Sequence, residues 1–237
     1  VPSARLLAHA GRQQLRLFAA ALMAANLLLP VGLILYAHAT DRDYATLFWG
    51  ERNAVTWFSS LQLLFIALVA YANHETIGLL RRLELDDTSA RRWLWLLFTA
   101  GFVFLALDER FEFHEYLRDE VLRPRDLFVV PFLRKSDVSM YFYLLVGLAL
   151  GWLLLGELRA RRLSLGLFAL GVGVAVASVL IDTLDKSLTR QLPFPDFWTS
   201  VFEEVGELWA QMFFAMSFLV LLDDRLTRLT GSPASEA

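Results

Sequence analysis

The chain is 237 residues long, 57% hydrophobic and 14% aromatic, with a mean hydropathy of +0.48. Charged residues make up only 20%, against about 25% in a soluble domain, so lipid rather than water surrounds much of the chain. A net charge of −3 leaves no basic surplus to neutralise phosphates, which speaks against a nucleic-acid partner, and the absence of cysteine removes disulfides, zinc–thiolate sites, iron–sulfur clusters and thiol nucleophiles.

Six apolar stretches, near 17–38, 54–74, 91–108, 138–157, 163–184 and 198–222, reach or approach the roughly 20 residues that a helix needs to cross hydrocarbon. A lone strand would leave backbone groups unpaired there. The expected class is therefore all-α: a six-transmembrane-helix bundle forming one domain over 1–230, with an extracytoplasmic amphipathic segment near 109–135 and a disordered tail at 231–237. The first stretch has some features of a secretory signal, with Arg5, Arg12 and Arg16 ahead of it and Ala37-His38-Ala39 after it. Its apolar run is about twice the usual signal length, and Asn26 and Pro30 interrupt it, so it reads as a span. The third stretch is the shortest and is expected to continue as helix past Asp108, out of the membrane.

Six spans place both termini on one side. That side holds 12 of the 22 lysines and arginines, clustered as Arg81-Arg82, Arg91-Arg92 and Arg159 to Arg162 beside short turns, while 17 of the 25 acidic residues fall on the other. The positive side is cytoplasmic by the charge rule. The expected location is the plasma (inner) membrane, with both termini cytoplasmic and the acidic face outside.

Three segments rich in acids then meet the outer boundary: LALDERFEFHEYLRDE, SVLIDTLDKSLT and DFWTSVFEEVGELWAQ. At about 100° per residue, Glu203, Glu204, Glu207 and Gln211 share one helical face; Ser178, Asp182, Asp185, Lys186 and Thr189 share another; and Asp108, Glu112, Glu115 and Asp119 a third, with Glu109 at its margin. Such stripes should face one another, since a charge in lipid costs several kcal/mol. Gathered carboxylates repel, and a bound divalent cation or shared protons would relieve them. The candidate metal ligands are Asp108, Glu112, His114, Glu115, Asp182, Asp185, Glu203 and Glu207, with Glu109 and Glu204 as candidate general bases. Oxygen-rich ligation suits Ca, Mg or Mn, and Zn or Fe if histidine contributes. On an unbroken helix His114 points more than about 100° away from the Asp108 face, so it joins the site only if the helix breaks. The competing reading is a solvated surface helix, its acids paired with Arg110, Arg118 and the basic residues up to Lys135.

Other features carry less. No nucleophile elbow, phosphate-binding glycine loop or zincin pattern occurs. Gly166, Gly171 and Gly173 read as close-packing positions. His9 and His74 read as interfacial, and Trp49, Trp57, Trp93, Trp95, Tyr141, Tyr143 and Trp198 as interface belts. The basic pairs read as holders of anionic lipid and of topology.

The LDERFEFHE run at 107–115 and EEVGE at 203–207 resemble a group of uncharacterised multi-pass bacterial membrane proteins, and that resemblance implies no activity. In outline the chain is also distantly similar to membrane metal-hydrolases of the alkaline ceramidase type, but it lacks their paired histidines on late spans, so their activity is not carried over. The expectation is a membrane protein with an extracytoplasmic carboxylate-rich divalent-cation site, whose metal would activate water against a lipid or lipid-linked substrate. A cation or proton-coupled transporter is the second reading, with Asn26, Gln62 and Gln211 as its inward polar path. A non-catalytic subunit or assembly factor held by salt bridges is the third. The expected partner is membrane lipid.

Overall fold

The computed structural model describes residues 2–42, 47–48, 53–85, 91–122, 138–183 and 201–229, with backbone alone at 2–12, 138–140 and 182–183. Regular structure among them is helical throughout: α1 (Pro2–Thr40), α2 (Ala54–Arg82), α3 (Arg92–Phe111), α4 (Phe113–Tyr116) running into a π-helical turn (Leu117–Leu122), α5 (Val138–Leu158), α6 (Arg162–Thr183) and α7 (Glu203–Leu229). Five of these, α1, α2, α5, α6 and α7, are long and apolar enough to cross a membrane. The 20 residues of α3 give it a length of about 30 Å, close to a bilayer core. Its last turn, however, carries Asp108, Glu109 and Arg110, which breaks the apolar window.

Local chemistry sets the ends. Asn53 caps α2 by accepting the Thr56 N–H (2.8 Å) and donates its own amide to the Phe48 carbonyl (2.6 Å). Helices α2 and α3 pack against each other where α2 ends and α3 begins. There Arg92 Nε donates to the His74 carbonyl (3.2 Å) while His74 Nδ1 meets the Arg92 carbonyl (2.9 Å), which ties the two helices antiparallel. His74 is thus buried in a helix–helix joint. The α5–α6 reversal takes only residues 159–161. Pro30 lies inside α1, which runs on through it to Thr40; one lost backbone bond does not end a helix of that length when its neighbours hold it.

The centre is built on α2 and α7. Phe218 of α7 is fully buried among Trp95, Phe98 and Phe102 of α3 and Phe168 of α6, with ring centroids 5.1, 5.4, 6.0 and 6.4 Å away. Trp95 is therefore core, not belt: it is 0% exposed, whereas Trp57 and Trp93 are 50% and 52% exposed. The exposed apolar side chains of α1, α5 and α6, such as Leu28, Leu145 and Leu163, are those that hydrocarbon would cover.

Helices α6 and α7 approach closely through small residues. A methyl group on Gly171 would sit 3.2 Å from the Ala210 carbonyl oxygen and 2.9 Å from the Phe214 ring, and one on Gly206 would collide with Ser178 Oγ. Gly166 and Gly173, read from sequence as packing positions, instead face open space. Thr56, Asp108, Tyr143, Val179 and Glu203 gather at one end of the bundle, and Leu80, Arg91, Glu157 and Arg225 at the other.

Candidate functional site

The acidic end is organised by a break in the chain after α3. Glu112 adopts a left-handed backbone (φ 56°, ψ 40°), its N–H still bonded to the Asp108 carbonyl (2.6 Å), and α4 starts at the next residue. The helix does continue past Asp108 as expected, but only to Phe111, and it resumes after the bend at Glu112 in a new direction. The bend swings His114 back over the preceding turn. Its backbone N–H donates to Asp108 Oδ1 (2.9 Å) and its Nδ1 lies 2.8 Å from Asp108 Oδ2. One carboxylate thus serves as the cap of α4 and as the partner of the imidazole. Burial disfavours the charged ring, but the hydrogen bond and charge of Asp108, with Glu115 adding, outweigh it and raise the His114 pKa above its ordinary value. With Asp108 only 4% exposed, the His114–Asp108 pair is set into the protein wall.

Around this pair lies a cavity of about 440 Å³. Asp108, Glu109, Glu112, His114, Glu115 and Arg118 line it from the α3–α4 elbow, and Glu203, Glu204 and Glu207 from α7. Thr56 of α2, Tyr143 of α5 and Val179 of α6 close the sides, and Leu63, Phe102, Leu105 and Phe214 form the apolar wall towards the core. Eight of the ten residues singled out from sequence therefore meet here. Of the other two, Asp182 lies in the last turn of α6, described by its backbone alone, and Asp185 lies outside the described residues, as does Lys186. The exposed His38 is not part of the lining.

Beneath the carboxylates the polar groups continue inward. The Ser59 hydroxyl bonds to the Glu109 carboxylate and accepts from Gln211 Nε2 (2.7 Å). Gln211 is 8% exposed, lines the cavity, and its Oε1 has no hydrogen-bond partner among the described residues. Close by, Asn26 Nδ2 donates to Gln62 Oε1 (3.0 Å) and Gln62 Nε2 to the Leu208 carbonyl (2.9 Å). Sequence reasoning missed Thr56, Ser59 and Tyr143. The first two were legible in principle, because Thr56, Ser59 and Gln62 recur every three residues along one face of α2.

Two basic side chains named as partners for the acids divide. Arg118 pairs with Glu115 (3.2 Å) and Asp119 (3.1 Å), whereas Arg110 lies over the Trp57 ring, 4.6 Å from its centroid. Among the described residues, no group of three or more acidic or histidine side chains is already arranged to hold a metal ion. What the arrangement offers is a lined, carboxylate-rich cavity with an apolar wall, large enough for a cation together with its water.

No curated protein and no solved structure matches the chain. A family model described as a domain of unknown function, DUF8692, matches residues 15–222. That match runs from within α1 through most of α7 and takes in both acidic segments, so the chain belongs to the DUF8692 family.

Proposed function

We propose that this chain is an integral membrane protein that binds a divalent cation in the acidic cavity, on the membrane face opposite its two termini. In this reading α3 is a sixth crossing, the termini are cytoplasmic, and the elbow after it lies at the outer boundary. The observation that carries the proposal is convergence. Acids from 108–115 and from 203–207, far apart in sequence, line one cavity together with the buried Gln211, whose Oε1 has no partner among the described residues. A carbonyl oxygen beside carboxylates is a ligand set for a hard cation such as Ca, Mg or Mn. The cavity volume suits an ion that keeps part of its water, as Mg²⁺ does. In a lipid hydrolase built on this site, the metal would supply an activated water. Glu204, or Glu109 held by Ser59, would take its proton, and the apolar wall of Phe102, Leu105 and Phe214 would lie along the acyl part of the substrate.

A second reading, cation or proton translocation, is favoured by the Glu109–Ser59–Gln211 chain and the neighbouring Gln62–Asn26 pair. It ranks second because the next layer of the core, with Ile66, Phe98 and Phe218, is apolar.

Elemental analysis of the detergent-purified protein tests the proposal, with wild type beside Glu204→Gln and Glu207→Gln. Stoichiometric metal in the wild type, lost in both variants, is the expected result. No metal in any sample, with the variants folded as well as wild type, ends the metal reading, and proton uptake into proteoliposomes then decides the second.

A further inference from the structure

The opposite end of the bundle carries a second cavity, independent of the acidic one, of about 470 Å³ between the ends of α2, α5 and α7 and the start of α3. Four arginines line it, Arg91, Arg159, Arg225 and Arg228, against two carboxylates, Glu157 and Asp224. Both carboxylates are already engaged. Glu157 accepts from Arg225, from Trp95 Nε1 (2.8 Å) and from the Arg91 backbone N–H (3.0 Å). Asp224 accepts from Arg161 and from Arg228 (2.8 Å). Among the described residues the Arg91 and Arg159 guanidinium groups have no carboxylate partner, and both are exposed. Arg225 is fixed in the wall, bonded to Asn73 Oδ1 and lying 4.8 Å from the Trp95 ring centroid.

The cavity therefore holds surplus positive charge on a rigid, hydrogen-bonded base, and its volume falls in the small-molecule range of about 300–1,000 Å³. Its rim is apolar. Trp152 and Leu153 of α5 border it and are 73% and 39% exposed on the surface that hydrocarbon would cover. A ligand that fits both parts carries a phosphate for the guanidinium groups and an acyl chain for Trp152 and Leu153. Planar guanidinium forks match phosphate oxygens, and tryptophan sits at the headgroup level of bilayers. We infer that this cavity is a binding site for the phosphate headgroup of an anionic phospholipid, drawn from the leaflet at the end where α1 begins and α7 finishes.

The test uses the full chain in nanodiscs of equal phosphatidylglycerol and phosphatidylcholine, released for native mass spectrometry to read which lipid stays bound. Each arginine near an anionic lipid favours it about fivefold, so Arg91→Gln/Arg159→Gln should lose about thirtyfold in preference for phosphatidylglycerol. Arg82→Gln/Arg162→Gln removes two exposed charges from the same end but outside the cavity, and should lower the preference several-fold less. Equal retention of both lipids by the wild type overturns the proposal. So does an equal loss in the two double variants, which would make the effect diffuse surface charge. A separate arm adds inorganic phosphate to delipidated protein in detergent. Binding of phosphate as tight as that of the lipid, abolished by Arg91→Gln/Arg159→Gln, would assign the cavity to a soluble phosphate compound and overturn the lipid assignment.

Discussion

Replacing Arg225 with leucine isolates the interaction that holds the basic end together. The Arg225 and Glu157 side chains are only 10% and 14% exposed, and Arg225 bridges Glu157 of α5 to Asn73 of α2 from its place on α7, against Trp95 of α3. Four helices thus meet at one guanidinium. Its removal leaves Glu157 buried with two neutral donors, Trp95 Nε1 and the Arg91 N–H, and leaves Asn73 Oδ1 without its charged partner. Breaking a buried pair from one side costs about 3–5 kcal/mol, or about two to four orders of magnitude in the folding equilibrium. Glu157→Leu should cost a similar amount, because it strands the cation. The double variant Arg225→Leu/Glu157→Leu strands neither charge and leaves Asn73 Oδ1, Trp95 Nε1 and the exposed Arg91 N–H short of a partner, at about 1–3 kcal/mol. Unfolding by SDS in mixed micelles, followed through the seven tryptophans, gives all four corners of the cycle. Single costs that simply add in the double variant would refute the reasoning, since independent losses would mean that the two charges do not support each other.

Two further perturbations address the acidic end. Gly206→Ala places a methyl against Ser178 Oγ and should cost about 1–3 kcal/mol by forcing α6 and α7 apart. Ser178→Ala, which removes a buried hydroxyl that has no hydrogen-bond partner among the described residues, should restore most of it, and a neutral Gly206→Ala in the same SDS assay would show that the helices are not in that contact. The raised pKa of His114 gives a signed pH dependence. Its imidazolium is stabilised in the folded state, so the contribution is complete below the ordinary value of 6.5 and disappears as pH rises through the higher folded value. The difference in thermal stability between wild type and His114→Asn should therefore be largest below the ordinary value of 6.5 and shrink as pH rises above it, and a difference that is flat or grows with pH would contradict the Asp108–His114 pair.

Much of the candidate site was legible in the sequence because it rests on periodicity. Glu203, Glu204, Glu207 and Gln211 share a face on any helix of that register, and an acidic face in an apolar segment has to find a polar neighbour. The place of His114 was not legible. On a straight helix it points away from Asp108, and whether a chain bends at a given glutamate depends on contacts that repay the left-handed backbone, here the two hydrogen bonds to Asp108. Trp95 shows the same limit from the apolar side. A tryptophan near a span end fits an interface belt equally well until a buried carboxylate, Glu157, is found within reach of its indole N–H.

By itself the sequence determined the medium and the class. Hydropathy counts the residues that lipid will accept, and backbone hydrogen bonding within lipid leaves helix as the outcome, so composition and length suffice for an all-α chain with long apolar helices. The tertiary structure alone decided which polar groups meet. It placed the elbow acids beside those of α7, joined Gln211 to Ser59 under them, and set Arg225 between Asn73, Glu157 and Trp95 at the far end. Such encounters depend on how each helix is rotated and spaced against its neighbours. That is fixed by short-range packing at positions such as Gly206 against Ser178 and by the bend at Glu112, and neither leaves a periodic trace in one helix read alone.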